Sequence, residues 1–188
     1  MSGRPTPDEA LHATRAWLEK AVIGLNLCPF AKAAHLKQQI RWVVSLAGDA
    51  AGLRAELLNE LERLRDTPAE QVDTTLLIHP FVLGDFDDYN DFLDQADAAL
   101  ARLSLVGEIQ IASFHPDYRF AGSDADDIEN FSNRSPFPTL HLLRESSVAK
   151  AVAAFPDAAD IYERNIETLR RLGHAGWKQL WVQQASES

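Results

Sequence analysis

Cysteine is almost absent from this chain, which contains a single one, Cys28, among its 188 residues. One cysteine excludes an internal disulfide framework of the kind that stabilises small secreted domains. No apolar run is long enough to span a bilayer, and the first residues lack the charged-then-apolar pattern of a signal segment. These absences predict a soluble, cytoplasmic protein that does not enter a membrane.

Positive charge is also scarce, because 18 Lys and Arg residues face 28 Asp and Glu residues, for a formal net charge of -10. Non-specific affinity for nucleic acids comes from clustered Lys and Arg side chains that neutralise phosphates. The charge balance therefore argues against a nucleic-acid partner. Internal repeats and low-complexity tracts are lacking as well, which is typical of one globular domain.

Helical and strand patterns alternate along the chain. Strands are predicted for IRWVVSL at 40–46, EIQIASF at 108–114 and TLHLL at 139–143, and for the run TTLLIHP at 74–80, which stops at Pro80. This alternation predicts an α/β or α+β fold, with a single-layer mixed sheet of about four strands and helices packed against it. We predict one domain over 1–188, with its core at about 8–173 and a C-terminal extension at 174–188.

Capping signals predict several helix ends. Thr6 and Glu9 have the spacing of a capping box, which begins a helix. Ser146 is predicted to cap a short helix that reaches Phe155, and the last helix is predicted to end at Gly173.

The segment from Ser113 to Glu145 lacks helical and strand periodicity until it reaches TLHLL. It is rich in aromatic side chains, which disordered segments lack, so we expect a packed and functional loop. If the first three strands are parallel, this loop leaves their carboxyl ends, where ligands of open α/β sheets bind. A fourth strand that starts at that edge would run antiparallel to the others.

Cys28 is the first candidate for chemistry. Pro29 suits the first position of a helix, so Cys28 would be the N-cap, where free amides and the helix dipole stabilise a thiolate. Lys32, one turn on, would add positive charge, and a thiol of lowered pKa is a good nucleophile. The alternative is that Cys28 is a small buried hydrophobic residue without a chemical role.

His79 and His115 each precede a proline at the end of a predicted strand. His115, oriented by Asp117, would serve as a general base. Together with His141, both would form a three-imidazole site that holds a transition metal with an open coordination position. The alternative is that these histidines only stabilise strand ends, since no tight metal-binding spacing accompanies them.

The stretch NFSNRSPFP offers an anion site. The planar guanidinium of Arg134 suits a carboxylate or phosphate, and Asn133 and Ser135 add neutral hydrogen-bonding groups beside it. Arg144 is a second anion-binding candidate, or else an exposed charge at a strand end. The alternative for Arg134 is an internal salt bridge to the acidic run at 124–129, which would fasten the loop.

Three stretches, AVIGLNLCPFAK, FHPDYRF and NRSPFPTLHLLRE, resemble the signature segments of a mainly bacterial family known as domain of unknown function 1415. The resemblance extends from about Ala10 to Gly173. It implies that the three stretches belong together, and it implies no activity. The family more often has a tyrosine within its Asn-x-x-Asn-Arg segment, where this chain has Phe131, so a hydroxyl at that position is not essential.

These candidates support three functions. The leading hypothesis is a small enzyme, a cysteine-dependent hydrolase or transferase, in which Cys28 attacks a small anionic metabolite, His115 is the base and Arg134 binds the anion. The second is a metal-dependent enzyme with the three histidines as ligands. The third is a non-catalytic domain, a small-molecule binder or adaptor, in which the arginines hold a ligand.

Overall fold

The computed structural model describes residues 3–154 and 160–182 of the chain. A π-helical segment, Leu18–Ile23, prolongs the first helix, and a 3-10 helix, Ile128–Asn133, lies in the long loop. The other elements, in chain order, are α1 (Pro7–Trp17), α2 (Pro29–Leu36), β1 (Ile40–Val44), α3 (Ala50–Asp66), β2 (Thr74–Ile78), α4 (Phe86–Arg102), β3 (Ile109–Phe114), β4 (Thr139–Arg144), α5 (Glu145–Ala154) and α6 (Ile161–Val182).

The four strands form one mixed sheet in the order β1-β2-β4-β3. β2 is parallel to β1, whereas β4 is antiparallel to both of its neighbours, β2 and β3. β1, β2 and β3 therefore point the same way, and the predicted fold class, a mixed sheet with helices packed against it, is confirmed. The ends of β2 and β3 and the start of β4 meet at one edge of the sheet, which we call the carboxyl edge.

Each face of the sheet supports its own hydrophobic core. On one face, which we call the α3/α4 face, α3 and α4 pack against alternate strand residues that include Leu77, Leu140 and Leu142. On the other, the α1/α6 face, Trp17, Leu169 and Trp177 pack against strand residues that include Ile40, Trp42 and Phe114. Because successive side chains of a strand point to opposite faces, each strand residue contributes to one core only.

Local sequence explains the helix starts. Thr6 accepts a hydrogen bond from the Glu9 amide at 3.2 Å, and the Glu9 carboxylate accepts one from the Thr6 amide at 2.7 Å, which confirms the predicted capping box. The prediction that Ser146 caps a helix is wrong, because α5 begins at Glu145 directly after β4. Phe155, its predicted end, lies outside the described residues.

Gly173 divides α6 into two helices. Its backbone adopts φ 66° and ψ 174°, a non-helical conformation that glycine tolerates because it lacks a Cβ atom. The predicted helix end at Gly173 is therefore confirmed, and a second helix, which was not predicted, follows the kink and reaches Val182. This second part of α6 carries Trp177, which is only 9% exposed and packs in the core of the α1/α6 face.

Within residues 3–154 and 160–182, every helix is too short or too polar to cross a lipid bilayer.

Candidate functional site

The long loop between β3 and β4 lies at the carboxyl edge and is fastened by a buried asparagine. The side-chain oxygen of Asn130 accepts hydrogen bonds from the Phe120 amide at 3.0 Å and the Ser123 hydroxyl at 2.8 Å. Its side-chain amide donates to the Asp124 carbonyl at 2.8 Å. Asn130 thus satisfies three polar groups of an irregular segment that has no sheet or helix partner to satisfy them.

Asn133 and Ser135, predicted to bind substrate, make hydrogen bonds that hold the loop. The Asn133 side chain donates to the Ser113 carbonyl at 3.0 Å, and its backbone carbonyl accepts from the His115 amide at 3.1 Å. The Ser135 hydroxyl donates to the Phe137 carbonyl at 2.6 Å, and Ser135 as a whole is buried, with 4% of its surface exposed. Both side chains thus help to shape the loop, and their role as ligand contacts stays a prediction.

Arg134 is held at the same loop but keeps part of its hydrogen-bonding capacity. Its Nε donates to the Tyr118 carbonyl at 3.2 Å, and Nη2 donates to the Ala125 carbonyl. The guanidinium carbon lies 4.5 Å from the centre of the Phe131 ring, a cation-π contact. Since a guanidinium has five N–H donors, these two bonds leave others for a ligand.

The predicted internal salt bridge of Arg134 with the acidic run at 124–129 is not formed among the described residues; the contacts are with backbone carbonyls. Burial lowers the pKa of Arg134, and the nearby carboxylates of Asp117 and Asp126 oppose that effect. Arginine stays charged in proteins because its ordinary pKa is so high. A positive charge is therefore retained in a partly desolvated place.

A cavity of about 440 Å³ opens beside Arg134 on the α1/α6 side of the carboxyl edge. Phe131 and Trp177 meet edge to face with ring centroids 5.3 Å apart, and Trp177 and Trp181 do the same at 5.8 Å. Trp17, which packs on the last residue of β3, contributes a further ring. The lining consists of Ala13, Ala16, Trp17, Pro116, Phe131, Arg134, Ser135, Pro136, Trp177 and Trp181. This size and lining are typical of sites that bind small molecules.

His115, the predicted general base, has both ring nitrogens occupied. Nδ1 accepts a hydrogen bond from the Asp117 amide at 3.0 Å, so Nε2 carries the proton and donates to the Leu83 carbonyl at 3.0 Å. Burial lowers the pKa of this imidazole. Asp117 therefore contacts the ring through its backbone, not through its exposed carboxylate. His115 is a neutral residue that fastens two loops.

His79 and Tyr89 lie next to His115 on the α3/α4 face. The ring centroids of His79 and Tyr89 are 5.7 Å apart. His79 Nδ1 donates to the Val82 carbonyl at 3.1 Å, and burial lowers the pKa of the ring to about 4. The Tyr89 hydroxyl donates to the Thr139 carbonyl at 2.9 Å and accepts from the Phe114 amide at 3.0 Å. Tyr89 thus ties the end of β3 to the start of β4.

The three-histidine metal site is not formed. His141 occupies the middle of β4, opposite Leu76 and Ala112, and its register places it on the α1/α6 face, whereas His79 and His115 lie on the other face. Its Nε2 donates to the Thr74 hydroxyl at 2.7 Å, and that hydroxyl donates to the Leu142 carbonyl at 2.6 Å. Among the described residues, no three His, Cys, Asp or Glu side chains are grouped so as to hold a metal ion.

Cys28 is the N-cap of α2 and Pro29 its first residue, as predicted. The thiol, however, has a raised pKa, because burial outweighs the hydrogen bonds from the amides of Ala31 and Phe30. The predicted activation of Cys28 as a thiolate is therefore not supported, and Lys32 is exposed to solvent.

The structure does not bring Cys28 and His115 together. Cys28 lines an apolar cavity of about 150 Å³ with Gln110 and Leu143, near the start of β3. Phe114, at the other end of β3, lies four residues after Gln110, which is about 13 Å along a strand. His115 also packs against α4 on the opposite face. A nucleophile and its base need direct hydrogen-bonding contact, so these two residues do not form such a pair.

Arg144 lies at the far edge of the sheet from Arg134, opposite Ile109. Its Nη2 is 2.6 Å from the Leu64 carbonyl and 2.9 Å from the Val72 carbonyl. The guanidinium satisfies backbone carbonyls at the end of α3, where the helix dipole favours positive charge. These contacts give Arg144 a structural role, and its role as a second anion-binding residue stays a prediction.

Asn130 and the tryptophans of α6 are the site residues that sequence reasoning missed. The repeated asparagine of the Asn-x-x-Asn-Arg segment was a signal for Asn130, because buried asparagines often satisfy loop backbone. Trp177 and Trp181 recur at helical spacing, i and i+4, which indicates one shared face but not what that face covers.

Comparison with known proteins places all of these residues except Trp181 within one family match. Residues 9–179 match the family described as protein of unknown function (DUF1415). No curated protein and no solved structure matches the chain. Since the match covers most of the sequence, the resemblance noted in the three motifs is confirmed, and this chain belongs to the DUF1415 family.

Proposed function

We propose that this protein binds a small anionic molecule in the aromatic cavity at the carboxyl edge, with Arg134 as the group that holds the anion. The observation that carries the proposal is the charge of the lining. Arg134 is the one charged side chain among the described residues that line the cavity. A fixed guanidinium in a partly desolvated, largely apolar cavity favours a negative ligand more strongly than the same group would in water.

Preorganisation supports this role. The hydrogen bonds to Tyr118 and Ala125 and the contact with Phe131 restrict the Arg134 side chain before any ligand arrives. A long side chain that is already ordered loses less rotamer entropy on binding. The bonds also present the remaining guanidinium donors in a fixed orientation.

The geometry favours binding over the cysteine mechanism. The nucleophile and base of that mechanism, Cys28 and His115, lie near opposite ends of β3. Arg134 shares its cavity with neither of them. Of the three functions considered from sequence, the small-molecule binder is the one that Arg134 can support without a distant partner, although Arg144, the second arginine of that hypothesis, lies at the far edge of the sheet.

Tryptophan fluorescence provides a direct test. Trp17, Trp177 and Trp181 line the cavity, whereas Trp42 lies on β1 beneath Arg15, so a Trp42→Phe variant removes the signal from outside. A library of small carboxylates, phosphates and neutral analogues is titrated into that variant. A ligand of this cavity should change the emission and raise the melting temperature in a saturable manner.

Two variants locate the binding. Arg134→Gln should abolish the response to anions, and Ala13→Leu, which fills the cavity from α1, should weaken all cavity ligands. Ala55→Leu makes the same change on an exposed position of α3 and should have no effect. The proposal fails if no anion in the library gives a saturable response, or if Ala13→Leu and Ala55→Leu bind alike.

A further inference from the structure

We infer that the ligand is an aromatic monocarboxylate, whose ring stacks among the tryptophans while its single carboxylate meets Arg134. This inference rests on the proposed function, because it names the class of molecule that the same cavity would hold. The charge of the lining and the arrangement of its rings lead to it independently.

The charge around Arg134 suits one negative charge and not two. Two carboxylates, Asp117 and Asp126, already act on Arg134, and the other nearby arginine, Arg119, is within 3.6 Å of Asp87. A phosphate monoester carries about -1.5 to -2 charges near neutral pH and is usually held by several donors. The described lining offers no second cation for it.

The rings form a corner that fits a flat molecule. Phe131 and Trp177 are inclined at 79° and Trp177 and Trp181 at 72°, so the wall offers both ring faces and ring edges. A flat aromatic ligand can pack face to edge or in offset stacking against such a wall, and both arrangements are favourable. An aliphatic chain of the same volume gains area burial alone.

Four probes separate these features. 1-Naphthylacetate has a ring and one charge, 1-naphthylacetamide lacks the charge, 1-naphthyl phosphate carries the larger charge, and cyclohexylacetate lacks the aromatic ring. Their dissociation constants are measured by isothermal titration calorimetry, with thermal shift as a second readout. We expect 1-naphthylacetate to bind about tenfold to hundredfold more tightly than the amide, the difference that a charged hydrogen bond makes.

Variants assign each preference to its residue. In Arg134→Gln the advantage of 1-naphthylacetate over the amide should disappear. The Trp181→Leu variant keeps Arg134 and its loop, and in it the advantage of 1-naphthylacetate over cyclohexylacetate should shrink. Arg171→Gln, which removes an exposed arginine of α6 outside the lining, is the control and should retain both preferences.

The outcomes also distinguish this inference from the proposed function. If 1-naphthyl phosphate or cyclohexylacetate binds most tightly, the aromatic monocarboxylate is refuted while anion binding in the cavity stands. If the amide binds as well as the acid in the wild type, the role of the charge is refuted. If neither these probes nor any library anion binds, both proposals fail.

Discussion

His79 and His141 are buried imidazoles, 0% and 4% exposed, on opposite faces of the sheet, and their titration should make the stability of this protein depend steeply on pH. Each ring is neutral in the folded state, held by a hydrogen bond to Val82 in one case and to Thr74 in the other. Burial lowers the pKa of both rings from 6.5 to about 4. In the unfolded chain both rings return to the ordinary value.

The sign and size of the effect follow from proton linkage. Between pH 6.5 and about 4 the unfolded chain binds more protons than the folded protein, so the free energy of unfolding falls as the pH is lowered. The contribution is complete above the unfolded pKa and is lost as the pH falls toward the folded one. At about pH 5 each histidine lowers the free energy of unfolding by about 2 kcal/mol relative to its value at about pH 7.5, and the two together lower it by about 4 kcal/mol.

Urea denaturation at a series of pH values between about 5 and 7.5 measures this directly. The double variant His79→Gln/His141→Gln should lose most of the pH dependence, although its stability at neutral pH is lower. His115, whose pKa is also lowered by burial, remains in every variant and leaves a smaller residual slope. His12→Gln, a change at an exposed position of α1, is the control and should keep the slope of the wild type. If the free energy of unfolding of the double variant fell with pH as steeply as that of the wild type, the two histidines would not be the source of the pH dependence.

Three further predictions concern residues whose contacts lie outside the cavity. Tyr89→Phe removes the hydroxyl that joins Thr139 to Phe114 and should lower the free energy of unfolding by about 1 to 3 kcal/mol, measured by urea denaturation; no loss would contradict its bridging role. Arg144→Ala leaves carbonyls at the end of α3 unsatisfied and should cost about as much in the same assay, with unchanged ligand binding, whereas lost binding would restore Arg144 as an anion contact. Cys28 should react with iodoacetamide more slowly than glutathione at neutral pH, because its raised pKa keeps the thiol protonated, and fast alkylation would contradict this.

The directions of the strands were predictable from the order of the elements, whereas their order in the sheet, β1-β2-β4-β3, was not. Strand and helix patterns alternate until the third strand, and the long loop then returns the chain to the same edge, which requires the fourth strand to run antiparallel. The caps at Thr6 and Cys28 were predictable because each depends on residues within one turn. These are the features for which local sequence determines local structure.

The faces of the sheet were not predicted, although the information lies in the strand register. His141 alternates with Leu140 and Leu142 in β4, so it must lie on the opposite face from them. The sequence does not say which face His79 occupies relative to His141, because that depends on how β2 and β4 pair. A shift of one residue in that pairing would move a histidine to the other face of the sheet. Such a shift is the difference between a three-histidine site and two unrelated structural histidines.

The position of Cys28 was unpredictable for a different reason. Its helix, α2, is joined to the sheet by a short connection, and nothing in its pattern states over which end of the strands it packs. The structure places the cysteine beside Gln110 and Leu143, at the start of β3. Proximity between residues on different elements is a tertiary property that motif spacing does not contain.

The polar residues of the Asn-x-x-Asn-Arg segment divide into those that build the loop and one that is left to act beyond it. Asn130 and Asn133 use their side chains on loop backbone, and so does part of Arg134. A segment without regular secondary structure needs such bonds, since its buried backbone groups would otherwise be unsatisfied at a cost of about 1 to 3 kcal/mol each. Arg134 differs because its guanidinium has more donors than the loop accepts and lies at an aromatic cavity. The motif therefore combines two features: the asparagines shape the loop, and the arginine places its charge beside the aromatic cavity at the carboxyl edge.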